Sequence, residues 1–169
     1  MTYDAVLVDA RAGLSELTAG PLLGRGGAVA LFGTDQPHTF EGYRYLMAHL
    51  ATLPVPDPKN DWRERIHFVH GMSGASLKKR QAFDDRLYEL LSETFYEEDE
   101  EDSGEGVFNF SLDAKNAPHK AWRIFFDQQF IDLNPIANRS LLEHDVYAAT
   151  FGGFIDSAME ALGLGNEGT

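Results

Sequence analysis

Carboxylates dominate the residues that could do chemistry. Asp85, Glu89, Glu93 and Glu97 recur every four positions, and Glu97 opens a run that continues through Glu98, Asp99, Glu100, Glu101 and Asp102. On a helix that spacing lines side chains along one face, where like charges cost a few tenths of a kcal/mol per pair. Unpaired acids of this kind attract cations rather than move protons. The chemistry expected of them is therefore recognition of a basic surface on a macromolecular partner. Lys78, Lys79 and Arg80 open the same helix. A helix favours acids first and bases last, so both ends are loaded against its dipole. A solvated face screened by salt would look the same in sequence.

A second constellation is Gly71, Ser73, Gly74 and Ser76, followed by Lys78 and Lys79. It lies between a strand and a helix start, where free backbone N–H groups favour anions. The alternative it suggests is an enzyme or sensor for a phosphorylated small molecule, with Asp9 or Asp35 as acid, base or metal ligand. The stretch resembles the phosphate loop of protein tyrosine phosphatases, H-C-x5-R, at His70 and Gly74. Gly71 stands in place of the nucleophilic cysteine and Leu77 in place of the arginine, so that chemistry does not carry over. The Walker pattern is absent too. Ser73, His70 and Asp35 could form a Ser–His–Asp set, but no G-x-S-x-G elbow supports it. His67 and His70, three apart on a strand, face opposite sides and make no metal pair. No cofactor or metal is expected, and the balance leans away from an enzyme.

The 169 residues carry a formal net charge of −13, of which the segment 97–105 supplies seven, leaving −6 for the rest. That argues against direct binding to nucleic acid or anionic lipid, both of which need cations. B-DNA carries one charge per ~1.7 Å of axis, so only local mimicry of nucleic acid is expected, directed at a nucleic-acid-binding protein. Cysteine is absent, which removes disulfides and thiolate chemistry. No apolar run approaches the ~20 residues of a bilayer span, and the acidic start at Met1, Thr2, Tyr3 and Asp4 is no signal peptide. The expectation is a soluble, cytoplasmic single domain over 1–169.

These residues must be positioned by the surrounding elements. Phe83, Leu87, Leu90, Leu91 and Phe95 form one stripe of a long amphipathic helix. Strands are expected over 3–8, 28–32 and 66–70, the second buried on both faces, with helical segments over 13–18 and 40–53 and a turn at 24–27. In the 40–53 helix Thr39 is the expected N-cap and Tyr43, Leu46, Met47 and Leu50 the apolar stripe. Pro54, Pro56 and Pro58 give a stiff connector. After a flexible acidic loop at about 97–106, the alternation over 107–112, a turn at 113–119 and the run 121–126 read as a β-hairpin. Ser140 and Glu143 have capping-box spacing before a helix to about 162, with Phe151, Ile155, Ala158 and Leu162 on its packed face. Gly152 and Gly153 suggest close packing or a kink there, and the tail over 163–169 is expected to be loose. The predicted class is α/β: a mixed, mainly parallel sheet of about five strands with an antiparallel hairpin, flanked by three main helices, with α+β as the alternative. In a third reading, Phe125, Phe126 and Phe130 meet a copy of the same chain.

Overall fold

The computed structural model describes residues 3–9, 27–57, 60–97 and 107–164. Among the described residues three strands alternate with three helices: β1 (Val29–Gly33), α1 (Pro37–Leu50), β2 (Ile66–Ser73), α2 (Leu77–Thr94), β3 (Trp122–Phe125) and α3 (His144–Ala161). The strands are all parallel and lie in the order β1-β2-β3. Central β2 must therefore be covered on both faces, and its run Ile66, Phe68 and Val69 is fully buried.

One face is covered by α1 and α2. Tyr43 packs edge-on against Phe68 at 5.0 Å, and Phe40 meets Phe83 at 5.1 Å. Both crossovers lie on this side, as a constant connection hand requires for strands added in order. α3 covers the other face through Phe154, which meets Trp122 at 6.1 Å and Phe32 at 5.7 Å. The α2 stripe is buried as predicted: Phe83, Leu87, Leu90, Leu91 and Phe95 all join the core. Ser76 caps that helix by accepting from the Lys79 N–H at 3.4 Å.

α1 starts earlier than Thr39. Pro37 at its first turn supplies a pre-set φ, and Gln36 is an N-cap without a side-chain bond. Thr39 instead packs on Gly33, where an added Cβ would lie 2.4 Å from Thr39 and 2.3 Å from the Tyr43 hydroxyl. Only glycine lets the end of β1 approach α1 this closely. The Tyr43 hydroxyl donates to the Leu31 carbonyl at 3.0 Å, tying the two elements together.

The expected five-stranded mixed sheet and its antiparallel hairpin are corrected. Residues 3–9 form no strand. Residues 107–112 bury Phe108 and partly bury Phe110 but leave Leu112 exposed, and they join no ladder, because their rings pack sideways. Phe108 is buried against Phe95 at 5.5 Å, and Phe110 meets Tyr96 at 5.5 Å. With no partner there, β3 pairs parallel to β2 instead. β1 is not buried on both faces either, since Phe32 is largely exposed.

The capping box at Ser140 and Glu143 also fails. Ser140 lies within a 3-10 turn, Arg139–Leu142, and Glu143 itself stands at the N-cap of α3, which begins at His144 with no side-chain cap bond. Its packed face is rotated, with Thr150 buried and Phe151 on Phe130 at 4.9 Å, while Ile155 and Leu162 stay exposed. A Cβ on Gly153 would meet nothing, so close packing does not explain that glycine. The segment 13–18, most of the 24–27 turn, residues 98–106 and the tail beyond Leu164 lie outside the described residues. Among the described residues no helix is long and apolar enough to cross a membrane.

Candidate functional site

In a parallel sheet, ligands sit beyond the carboxyl ends of the strands, and β2 is irregular at that end. His70 pairs with Arg123 but Ser73 pairs with Phe125, so β2 holds one extra residue, a β-bulge. Met72 takes the left-handed φ of 53° and projects into solvent. The bulge re-aims the strand, so Ser73 shares a face with His70 although they are three apart, its hydroxyl 3.4 Å from His70 Nδ1.

Arg123 completes this cluster. One guanidinium nitrogen donates to His70 Nδ1 at 3.1 Å; the other donates to Asp84 at 2.5 Å and to the Arg80 carbonyl at 3.3 Å. His70 is buried and stacks on Phe83 at 3.9 Å. Burial, reinforced by the Arg123 charge and opposed by Asp35, pushes its pKa down to about 4. The imidazole is therefore neutral at pH 7, with its Nδ1 lone pair accepting from Arg123. It has no free lone pair there to take a proton from Ser73, itself 1% exposed. Asp35 is engaged elsewhere, bonded at 2.6 Å to Arg86, whose guanidinium lies 3.9 Å over the Phe40 ring. The trio Ser73, His70 and Asp35 is thus a packing arrangement rather than an assembled nucleophile.

The anion-binding set is split by the fold. Gly71 and Ser73 belong to β2, Gly74 is exposed in the short turn, and Ser76 uses its hydroxyl as a cap. Lys78 and Lys79 face solvent, away from buried Ser73. Arg80 folds back to donate to the Ala75 carbonyl at 3.1 Å, over the Phe125 ring. The cavity lined by Glu64, Phe110, Asn116 and Pro118, about 270 Å³, is smaller than the ~300–1,000 Å³ of small-molecule sites. Among the described residues no group of three potential metal ligands converges.

The acids behave differently. Asp85 and Glu89 are exposed on α2 and form no ion pair among the described residues. Glu93 is paired with Arg44 of α1. Glu97 is held firmly: its carboxylate accepts from Arg63 and from the Phe108 N–H, each at 2.8 Å, and its own N–H donates to the Phe108 carbonyl at 3.0 Å. The Phe108 bond, then the Arg63 bond, hold its pKa below the ordinary carboxylate range. Arg63 is anchored in turn by Asp61 at 2.7 Å and lies 4.4 Å over the Phe108 ring. This clamp joins the two ends of the 98–106 segment, whose nine residues include Glu98, Asp99, Glu100, Glu101, Asp102 and Glu105.

Sequence reasoning missed Arg123, Asp84, Arg63 and Asp61. A lone cation in the apolar run W-R-I-F-F and the close D-W-R triplet were the available signals. It also missed His119, which is fully buried. The imidazole lies between the Tyr96 hydroxyl, 2.8 Å from its Nδ1, and the Leu112 carbonyl, 3.1 Å from its Nε2. Burial holds its pKa down, so it pins the 107–121 stretch as a neutral ring. His67 and His70 do lie on opposite faces, His67 stacking on Trp122 at 4.3 Å.

No family model matches the chain, and no curated protein or solved structure matches it either.

Proposed function

We propose that this chain is a partner-binding module whose acidic face engages a basic protein surface. The observation that carries the reading is the clamp at Glu97. It fixes both ends of a segment with six acids in nine residues at the foot of α2, whose outer face carries Asp85 and Glu89, without an ion pair among the described residues. The chain's own cations neutralise part of that face, Arg44 taking Glu93 and Arg63 taking Glu97 together with Asp61, while Arg86 and Arg123 are held by Asp35 and Asp84; Asp85 and Glu89 form no ion pair among the described residues. Such a face raises association rates and selects partners by charge. A nucleic-acid-binding protein that meets the acids as a local substitute for phosphates is the specific target we favour.

The enzyme or sensor reading draws support from the strained Met72 and the exposed Lys78 and Lys79 at the carboxyl edge of β2. It is the weaker reading because the hydroxyls and the histidine there already have partners. The test is replacement of residues 98–102 by Ser/Gly, followed by capture of binding proteins at rising salt. Loss of salt-sensitive partners supports the module; an unchanged set of partners with unchanged salt response contradicts it.

A further inference from the structure

Beside the Glu97 clamp lies a cavity that the acidic face does not use. It measures about 270 Å³ and is lined by Glu64, Phe110, Asn116 and Pro118. Pockets that enclose whole small molecules start near ~300 Å³, so this notch matches one long side chain instead. Glu64 follows Arg63 of the clamp in the chain, and the Phe110 ring meets that of Phe108 at 5.2 Å. The lining combines a carboxylate, an aromatic ring, an amide and the apolar ring of a proline. Glu64 and Asn116 are exposed, while Phe110 and Pro118 are half-buried. Among the described residues Glu64 forms no ion pair.

Both walls are held by the fold. Glu64 sits in the 3-10 turn Trp62–Arg65, which Asp61 caps by accepting from the Arg63 N–H at 2.8 Å. The Trp62 indole donates to the Pro54 carbonyl at 3.2 Å and fixes the same turn from its other side. On the facing wall, Phe110 packs on Tyr96 at 5.5 Å. Buried His119 follows Pro118 and lies between the Tyr96 hydroxyl and the Leu112 carbonyl, which pins the turns that carry Asn116 and Pro118. A ligand that enters preformed walls loses less to ordering.

We propose that this notch receives one arginine side chain of the basic partner. A guanidinium answers each part of the lining. Its charge meets Glu64, its forked donors serve the Glu64 carboxylate and the Asn116 side-chain oxygen, its plane stacks on an aromatic ring, and its methylenes cover a proline. An anion would be repelled by Glu64, and a neutral group would leave that carboxylate without a counter-charge. Lysine brings a point charge without the planar fork, so it answers less of the lining. The notch also adds what a charged face lacks. Long-range charge sets encounter rate and selection, whereas a filled pocket supplies the anchor that slows release. The source of the arginine rests on the partner-binding reading, but the notch shares no residue with Asp85, Glu89 or the segment 98–102.

Titration of the isotope-labelled full chain with arginine capped at both ends tests this by NMR. Capped citrulline, of the same shape without the charge, and capped lysine serve as controls. The expected result is saturable amide shifts centred on Glu64, Phe110 and Asn116, with a Kd on the order of 1 mM. Citrulline should bind about tenfold more weakly and lysine about threefold. Glu64→Gln, at an exposed carboxylate, should weaken arginine about tenfold, and Phe110→Leu about threefold through the lost ring face. Asp85→Asn with Glu89→Gln should leave the affinity for capped arginine unchanged. If Phe110→Leu disturbs the core, Glu64→Gln decides. The absence of saturable shifts in the notch, equal affinity for citrulline or lysine, or an affinity untouched by Glu64→Gln each overturn the inference. A notch that ignores arginine in a chain whose 98–102 variant loses its partners sinks the notch and keeps the partner-binding reading. A notch that binds arginine in a chain that captures no basic partner supports the notch and sinks that reading.

Discussion

Asp84 and Asp85 are neighbours on α2 with opposite roles. Asp84 turns inward, its side chain 15% exposed, and binds Arg123 of β3 and the Ala121 N–H. Asp85 turns outward and has no ion-pair partner among the described residues. One step along a helix, about 100° of rotation, separates a carboxylate that holds two layers together from one left available to another molecule. The difference teaches that charge count alone says little here. What matters is whether a cation of the same fold has already claimed the acid.

The largest effect should come from the inward member. Asp84→Ala leaves the Arg123 guanidinium without its counter-charge in a half-buried site, and breaking such a pair costs about 3 kcal/mol. For a chain of this length that corresponds to a thermal midpoint lower by about 6–12 °C, measurable by calorimetry. An unchanged midpoint would mean that the pair contributes no more than a surface contact.

Acid probes the same interior next. His70 is neutral in the fold, with its pKa near 4 against 6.5 when unfolded, so the unfolded chain binds the extra proton first. Its contribution is complete above pH 6.5 and is lost as pH falls toward 4, on the order of 3 kcal/mol over that window. The burial-depressed pKa values of His67 and His119 act in the same direction. Urea unfolding at pH 7, 5.5 and 4 should show the loss, and His70→Gln should flatten the slope. A slope that His70→Gln leaves intact would place the effect elsewhere.

A smaller effect, of opposite sign, is expected on the other face. Gly153→Ala adds a methyl in open space on α3 and should stabilise the chain by about 1 kcal/mol through helix propensity. Any destabilisation there would reveal a contact that the fold does not show. Smallest for stability is the outward pair. Asp85→Asn with Glu89→Gln should change unfolding by about 0.5 kcal/mol or less, because surface substitutions away from packed features seldom exceed that.

The contrast also marks how far the amino-acid pattern could be read. Phe83, Leu87, Leu90, Leu91 and Phe95 were legible because a helix is settled by contacts three and four residues apart. β1 and β2 were legible as apolar runs, but the partner of β3 was not. The alternation over 107–112 lies in the residue types, yet pairing is decided by distant backbone, and Phe108 and Phe110 pack on Phe95 and Tyr96 without a ladder while Leu112 stays exposed. The bulge at Met72 was invisible for the same reason, and with it the meeting of His70 and Ser73. Of the candidate acids, periodicity placed Asp85 and Glu89 outward, but it could not reveal that Arg44 claims Glu93 or that Arg63 clamps Glu97.

The central claim is that the unclaimed acids meet a basic partner. It is tested most directly by the affinity of the full chain for an immobilised Lys/Arg-rich peptide across a salt series, beside the Asp85→Asn, Glu89→Gln variant. The account predicts binding that weakens steeply with salt, and a variant with about tenfold lower affinity and a shallower salt response at unchanged stability. Equal affinity and equal salt response in the two proteins would contradict it.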